Sequence, residues 1–289
     1  MYGLSSMTAP LRKVAVKRPG ASLLEADRKK WHYGASFEPE KVSAVHAEFV
    51  QMLHAEDIEI YHMPEEDGGI ADAVFTYDAS LMTPAGAVLM APGKALRAGE
   101  QALHRRFYDQ LDIPIVGAID GLATAEAGDT LWLDDRTLAV GRGFRTNPAG
   151  VAQLRAVMAA LGIDVQVFDL PVYQGAAACL HLMSLVSLVD TRTALVCLPL
   201  LPVGLWELLI AKGFSLIEAP FDEFETSQTL STNVLATRPG ACIMLDRLPQ
   251  TRAALTAAGI EVSVFEGTAL CIGCEGGPTC LTRPLLRQV

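Results

Sequence analysis

The chain has 289 residues, enough for one large domain or two small ones with an ample hydrophobic core. Hydrophobic residues make up 51% of it and charged residues 19%, a composition that excludes an intrinsically disordered chain. The net charge of −10, with only short basic runs, would repel phosphate backbones, so nucleic acid is not an expected partner.

The sequence shows no sign of export or of a membrane span. The N-terminal region lacks the continuous apolar core of a secretory signal, and six cysteines without such a signal are typical of free thiols in a reducing cytosol. The most hydrophobic stretch, residues 194–211, contains two prolines and Glu207, which favours a buried strand followed by a helix over a membrane helix. We therefore expect a cytoplasmic protein that does not bind membranes.

Five segments of the chain share one order of predicted elements. The first has a strand at VAVKRPG, a helix over residues 39–54 and a closing strand at IEIYHM. The second runs from MTPAGAVLMAPG to LDIPIVGA, and the third from LDDRTLAVGRG through a helix over residues 150–161 to LGIDVQVF. The fourth runs from VDTRTALVCLP to KGFSLIEA and the fifth from ATRPGACIMLD to AGIEVSVF. The last four read as strand, turn, strand, amphipathic helix and strand, whereas the first fits this order more loosely.

The spacing of these segments predicts a repeat architecture. The closing strands begin at residues 58, 113, 163, 214 and 260, which is a fairly regular period of about fifty residues. Repeated ββαβ-type units most naturally close into a ring, because closure removes exposed sheet edges. We predict an α/β fold, a five-bladed pseudo-symmetric α/β-propeller that forms a single catalytic domain over residues 1–289. Residues 1–10 are expected to be a flexible N-terminal extension, and an open α/β sheet is the alternative.

Polar residues follow each predicted closing strand. In chain order they are Asp72 and Asp78, then Glu126 and Asp129, then His181, then Asn233, and finally Cys280. Taken singly, each has a plain structural explanation, such as a turn carboxylate, a core histidine or a passenger cysteine. In a radial array, however, equivalent loops meet at the central axis, so the pattern predicts that these side chains converge in one pocket.

The residue types in this set indicate a particular chemistry. A cysteine thiolate is a nucleophile, and histidine supplies general acid–base catalysis near neutral pH. Additional carboxylates would raise the pKa of the thiol and would not help a protease. They are useful if the substrate is a planar guanidinium, which they can hold while the thiolate attacks its central carbon. The set therefore predicts a guanidine-modifying enzyme. The positive charge of its bound substrate would favour the thiolate form of the cysteine.

Several motifs also carry a resemblance to a known family. They are VFTYD, the Gly-Lys-x-x-Arg-x-x-Glu stretch from Gly93 to Glu100, EAGD, GRGFRTN, HLMSLVS, TNVLA and GGPTCLT, and they span roughly residues 14–287. In these motifs and their order the chain resembles the amidinotransferase superfamily, and most closely the dimethylarginine dimethylaminohydrolases (DDAHs, or dimethylargininases). The resemblance implies the five-bladed propeller known as the pentein fold, with no cofactor and no catalytic metal.

The resemblance also implies a role for each site residue. Cys280 resembles the family's nucleophile and His181 its general acid–base residue. Glu126 resembles a catalytic carboxylate that, together with Asp78, forms a clamp for the guanidinium. The implied substrate-binding residues are Asp72, Asp78, Arg97, Asp129 and Arg145. Among them, Asp72 would contact the substrate amine or support a residue that does, and the two arginines would bind the α-carboxylate.

The implied reaction is hydrolysis of N-omega,N-omega-dimethyl-L-arginine or monomethylarginine to L-citrulline and dimethylamine or methylamine. It proceeds through a covalent thiouronium intermediate, and a small guanidino substrate is the only partner it requires. An arginine deiminase or an amidinotransferase acting on another guanidino compound is an alternative. A zinc-binding or redox-sensing protein that uses Cys271, Cys274 and Cys280 is a further one, although structural zinc usually requires four ligands. The sequence leaves the oligomeric state open, a homodimer included.

Overall fold

The computed structural model describes residues 1–176, 178 and 180–288, so Cys179 lies outside the described residues. The strands, numbered in chain order, are β1 (Leu11–Val16), β2 (Glu59–His62), β3 (Ser80–Thr83), β4 (Gly86–Leu89), β5 (Ile115–Ala118), β6 (Thr130–Trp132), β7 (Thr137–Arg142), β8 (Asp164–Asp169), β9 (Val186–Asp190), β10 (Thr193–Val196), β11 (Ser215–Glu218), β12 (Leu235–Arg238), β13 (Ala241–Leu245), β14 (Glu261–Phe265) and β15 (Arg283–Arg287).

Helices lie between many of these strands in the chain. The α-helices are α1 (Ala21–Leu24), α2 (Arg28–Trp31), α3 (Pro39–Ala55), α4 (Glu100–Gln110), α5 (Pro148–Ala160), α6 (Val203–Ala211), α7 (Phe221–Thr226) and α8 (Pro249–Ala257). Short 3₁₀ helices lie at Ala71–Val74, Ala95–Arg97, Ala127–Asp129, Leu182–Ser184, Leu198–Leu200 and Leu230–Thr232, and a π-helix lies at Thr268–Ile272.

The described strands form five three-stranded sheets, each with one antiparallel and one parallel pair. Their strand orders are β15-β1-β2, β3-β4-β5, β6-β7-β8, β9-β10-β11 and β12-β13-β14. In the last four sheets a hairpin supplies the antiparallel pair, and a helix crosses from the second strand to a parallel third strand. The predicted order of strand, turn, strand, helix and strand is confirmed, and so is the five-bladed α/β-propeller.

The first blade differs from the others because its antiparallel strand comes from the opposite end of the chain. Strand β15 pairs with β1, with Leu11 opposite Arg287 and Val14 opposite Pro284. This pairing explains why the N-terminal segment fits the repeat loosely: its missing strand is the C-terminal TRPLLR, which the sequence analysis did not predict as a strand. Joining the two ends of the chain in one sheet removes an exposed edge that an open arrangement would have.

The N-terminal residues lie against the same strand. The amide of Gly3 donates a hydrogen bond of 2.8 Å to the carbonyl of Leu285, and Leu4 is buried in the core. Residues 1–10, which we expected to form a flexible extension, therefore contact the first blade rather than extending away from it.

The packing follows from the sequence pattern of each blade. The middle strands β4 and β13 are hydrophobic and buried along their length, and β7 is buried except at Arg142, as expected for strands covered on both faces. Each long helix buries one stripe at helical spacing, as Leu154 and Met158 do in α5. That helix begins with Pro148 at its first turn, and the side chain of Asn147 caps it by accepting from the amide of Gly150 at 2.8 Å.

The hydrophobic stretch at residues 194–211 forms strand β10 and helix α6, as predicted. Among the helices of the described residues, none combines the length and the apolar composition that crossing a membrane requires.

The glycine at position 150 gives a test of the packing between repeats. A Cβ atom at Gly150 would lie 1.9 Å from the carbonyl oxygen of Thr124, a distance that forces the backbone to move. We expect Gly150→Ala to lower the free energy of unfolding by about 2 kcal/mol or more because of this overpacking. Gly204 in α6 is a matched control, because its Cβ would meet only the ring of Phe168 at 3.5 Å. Gly204→Ala should be neutral or stabilise by up to about 1 kcal/mol. Urea unfolding measures both, and equal effects would contradict this account.

Candidate active site

Short helices in the loops after the closing strands place the polar residues. Asp72 lies in the 3₁₀ helix Ala71–Val74, and Glu126 and His181 directly precede the two helices at Ala127–Asp129 and Leu182–Ser184. Each loop begins at the end of a blade's parallel strand, so the same point of each repeat supplies a site residue. Cys280 lies in the turn just before β15, and the closure of the ring therefore positions it.

These loops converge on one cavity of about 380 Å³. The predicted site residues that line it are Asp72, Asp78, Arg97, Arg145, His181 and Cys280. Two of the predicted residues, Glu126 and Asp129, lie beneath this lining and are fully buried. The structure thus brings together residues that follow the first, second, third and fifth closing strands, and Asn233, which follows the fourth, contacts Cys280.

Glu126 holds the imidazole of His181. Its Oε2 lies 2.5 Å from Nε2 of His181, and its Oε1 accepts from the amide of Gly93 at 2.7 Å. Arg145 donates to both carboxylate oxygens at 3.2 Å. Burial alone would raise the pKa of Glu126, but its hydrogen bond to His181 and the positive charges of His181 and Arg145 hold that pKa below its usual range. Glu126 is therefore ionised and favours a positively charged imidazole.

Asp78 is held by an arginine from the next helix. Its Oδ2 accepts from Nη1 of Arg97 at 2.6 Å, and its Oδ1 accepts from the amide of Gly128 at 3.0 Å. Arg97 also donates from Nε to Glu100 at 2.8 Å and from Nη2 to the carbonyl of Phe75 at 3.2 Å. This buried arrangement fixes the Asp78 carboxylate at the wall of the cavity.

Gly128 allows the side chains of Asp78 and His181 to approach each other. A Cβ atom there would lie 2.7 Å from Oδ1 of Asp78 and 2.9 Å from the ring of His181. Only glycine leaves room for both side chains, so the glycine of the EAGD motif is a site residue. The sequence analysis did not identify it, although its place between Glu126 and Asp129 was a signal.

The thiol of Cys280 has an amide side chain beside it. Nδ2 of Asn233 lies 3.1 Å from the sulfur, while Oδ1 of Asn233 accepts from the amide of Thr279 at 3.1 Å. Burial, followed by the negative charge of Asp78, raises the pKa of the Cys280 thiol to about 11, and the contacts with Asn233 and His181 only partly offset this rise. The cysteine is therefore a thiol at neutral pH when no ligand is bound.

Asp72 also lines the cavity, in an ion pair that the sequence did not reveal. Its Oδ2 lies 2.6 Å from Nζ of Lys94, and its Oδ1 accepts from the hydroxyl of Tyr33 at 2.7 Å. Nζ of Lys94 also donates to the carbonyl of Trp31 at 3.3 Å and lies 5.3 Å from the centroid of its ring. Lys94 was visible in the Gly-Lys-x-x-Arg-x-x-Glu stretch, but nothing in the sequence placed it opposite Asp72.

Asp129 is buried and holds the chain segment that follows His181. Its Oδ1 accepts from the amide of Leu182 at 2.9 Å, and burial raises the pKa of Asp129 to about 6. It anchors the short helix that follows His181. Its predicted role in substrate binding remains a prediction.

One group of three side chains brings its oxygen and nitrogen atoms close enough together to bind a metal ion. The nearest ligand atoms of Asp78, Glu126 and His181 lie within 4.8 Å of one another. All three are already engaged with one another or with arginine and amide donors, so a cation would have to displace those partners. Within the described part of the chain, Cys271, Cys274 and Cys280 do not form such a group.

Sequence comparison identifies relatives of this chain. The family model described as N,N-dimethylarginine dimethylhydrolase, eukaryotic, matches residues 21–247. The arginine deiminase of Mycobacterium avium (strain 104) is 28% identical over 280 residues, which cover 83% of this chain and 64% of that protein. The matched part of the chain thus spans less than two thirds of the length of that arginine deiminase.

Solved structures show the same fold. A DDAH from Pseudomonas aeruginosa, solved as a mutant complexed with citrulline, aligns with a TM-score of 0.76 at 22% identity and covers 94% of this chain and 98% of that chain. SxtG, an amidinotransferase from Microseira wollei, aligns with a TM-score of 0.79 at 16% identity and covers 100% of this chain and 98% of that chain. Both similarities support the propeller architecture described above.

The raised pKa of Cys280 predicts the pH dependence of its alkylation. Because only the thiolate reacts, a pKa of about 11 means that the rate of reaction with iodoacetamide should rise roughly tenfold per pH unit between about pH 7 and pH 10. Peptide mass spectrometry identifies the alkylated cysteine, and Cys280→Ser provides the blank. A rate that levels off near pH 8 would contradict the raised pKa.

Proposed function

This chain belongs to the N,N-dimethylarginine dimethylhydrolase family, and on that premise we propose that it hydrolyses N-omega,N-omega-dimethyl-L-arginine or the monomethyl compound to L-citrulline. The observation that carries the proposal is the meeting of a thiol, an imidazole and a carboxylate, those of Cys280, His181 and Asp78, at one cavity. Such a combination is useful when the substrate is a cation, because the carboxylates bind its positive charge while the thiolate attacks it.

We assign the two carboxylates different roles. Asp78 faces the cavity and is proposed to contact the guanidinium directly. Glu126 is fully buried and already bonded to His181, so we propose that it acts mainly by orienting the imidazole and stabilising its protonated form. Arg97, which pairs with Asp78, and Arg145, which pairs with Glu126, are proposed to contact the substrate's carboxylate as well.

The proposed reaction begins when the guanidinium binds beside Cys280. Its positive charge lowers the pKa of the thiol, and the thiol proton passes to His181. The thiolate adds to the guanidinium carbon, the C–N bond to the substituted nitrogen breaks, and His181 returns the proton to the departing amine. A thiouronium remains on the sulfur.

The second half of the reaction releases the product. His181 takes a proton from a water molecule as its oxygen bonds to the thiouronium carbon. The C–S bond then breaks, His181 returns its proton to the sulfur, and the hydroxyl proton of the adduct passes to solvent, which leaves a neutral ureido group on the product and restores the Cys280 thiol. One water is consumed and one amine is released, with no redox change.

An arginine deiminase is a second candidate, favoured by the sequence identity to the Mycobacterium avium enzyme. It would use the same residues and release ammonia from unmethylated arginine. The leaving nitrogen distinguishes the two, whereas an amidinotransferase would transfer the amidino group to another amine and form a new guanidine.

Product analysis tests the proposal. Incubation with asymmetric dimethylarginine should yield citrulline and dimethylamine in equal amounts, with little citrulline from arginine under the same conditions. The two products are measured separately. Citrulline and ammonia from arginine alone would favour the deiminase, and no citrulline from either substrate would contradict the proposed substrate class.

Two variants test the covalent mechanism. Cys280→Ser should lower kcat by at least about 1,000-fold, because a serine hydroxyl at this site lacks the nucleophilicity of a thiolate. His181→Asn should lower kcat by at least about 100-fold and leave no accumulated thiouronium on Cys280 in intact-protein mass spectrometry, because it removes the group that accepts the thiol proton and protonates the departing amine. Near-normal turnover by Cys280→Ser would rule the mechanism out.

A further inference from the structure

One guanidinium in the site holds two buried carboxylates. Arg97 donates from Nη1 to Oδ2 of Asp78 at 2.6 Å and from Nε to Oε1 of Glu100 at 2.8 Å. The three side chains are 6%, 7% and 2% exposed, in the order Arg97, Asp78 and Glu100. If both acids were ionised, the group would keep one uncompensated negative charge inside the protein, which is strongly unfavourable.

Of the two acids, Glu100 has the weaker support for a negative charge. Asp78 lines the cavity and accepts a second hydrogen bond, from the amide of Gly128 at 3.0 Å. Oε2 of Glu100 is buried and has no hydrogen-bond partner among the described residues. An ionised carboxylate oxygen in such surroundings is more unfavourable than a neutral hydroxyl. The geometry therefore favours a proton on Glu100 rather than on Asp78.

The charges around Glu100 agree with this geometry. Burial raises the pKa of Glu100 to about 8, although the positive charge of Arg97 opposes the rise. The negative charges of Asp72 and Asp78 raise that pKa further. The next titratable side chain along α4 is His104, and burial lowers the pKa of His104 to about 3, so this imidazole is neutral. Near neutral pH, Arg97 and its two acids therefore have no net charge.

We propose that Glu100 is a positioning residue that holds a proton in the ligand-free protein and loses it to solvent when a guanidinium binds beside Asp78. This inference rests on the proposed function, and Glu100 acts on the substrate only through Arg97 and Asp78. The bound cation supplies the second positive charge that two acids on one arginine lack. The O–H bond of the carboxyl group then breaks, and ionised Glu100 attracts Arg97 more strongly, which leaves more of the charge of Asp78 for the ligand.

The proposal makes the affinity for a guanidinium depend on pH. The ligand-free protein keeps the proton on Glu100 below about pH 8, whereas the complex loses it at a lower pH because the bound cation stabilises the carboxylate. Binding below about pH 8 therefore releases a proton, and the affinity rises with pH until Glu100 is ionised in the free protein as well. Glutamine at position 100 has the shape of the protonated acid but cannot ionise.

Binding measurements in a Cys280→Ser background test this, because that parent has neither turnover nor a thiol proton to lose. Calorimetric titration with L-arginine and with asymmetric dimethylarginine compares the parent with the double variant that also carries Glu100→Gln. The ratio of their two Kd values at one pH cancels the titration of the ligand and of His181. From about pH 6 to about pH 9 this ratio should shift at least roughly fivefold in favour of the parent.

Proton release is a second readout, which a purely structural role of Glu100 would not change. Near pH 7, titrations in buffers of different ionisation enthalpy should show that the parent releases up to roughly one proton more than the double variant. Infrared difference spectra of the parent should show the loss of a protonated carboxyl band on binding. The absence of that loss would overturn the proposal without any variant at position 100, and so would a Kd ratio that does not change with pH.

Glu223→Gln is the matched control. Glu223 is also a buried acid in the first turn of a helix, but it lies outside the cavity lining and accepts from the amides of Gln250 and Thr251 at 2.8 Å. Its replacement should change neither the pH dependence of the Kd nor the proton release.

The outcomes separate this inference from the proposed function. Citrulline formation by the wild-type protein without the expected pH dependence would overturn the role of Glu100 and retain the hydrolysis. The expected pH dependence without any citrulline formation would retain the role of Glu100 and overturn the hydrolysis. Failure of both ligands to bind the Cys280→Ser parent would overturn both.

Discussion

The pairing of β1 with β15 is the constraint on which the rest of the structure depends. It completes the first blade from the two ends of the chain and fixes the turn that carries Cys280. Arg283 strengthens this closure, because its buried guanidinium lies 4.0 Å from the ring centroid of Tyr77 and donates to the carbonyl of that residue at 2.9 Å. Tyr77 in turn donates its amide to the carbonyl of Cys280 and directly precedes Asp78. Ring closure and the position of Cys280 are therefore one arrangement.

Around Cys280 the charged side chains of the candidate site lie in pairs of opposite sign. Asp78 is paired with Arg97, Glu126 with His181 and Arg145, and Asp72 with Lys94. A buried carboxylate without such a partner is strongly unfavourable. The arginines and the lysine thus offset the cost of placing these carboxylates in and beneath the wall of the cavity.

The sequence predicted the parts of this design that depend on local pattern. The period of the closing strands gave the number of blades, and the positions of His181 and Cys280 after those strands indicated the site. It could not reveal contacts between distant segments, such as the strand that β15 adds to the first blade or the ion pair between Lys94 and Asp72. Gly128 shows the same limit, because its importance lies in the approach of Asp78 and His181, which only the folded chain brings within reach.

The high pKa of the free thiol links specificity to reactivity in the proposed mechanism. A cavity that contains no bound cation keeps Cys280 protonated, because burial and the charge of Asp78 both oppose the thiolate. A guanidinium bound against Asp78 compensates that charge, so the ligand that fits the site is also the one that generates the nucleophile. The product no longer does so, because its ureido group is neutral. The same electrostatics that activate Cys280 toward the substrate therefore return it to the unreactive thiol once hydrolysis is complete.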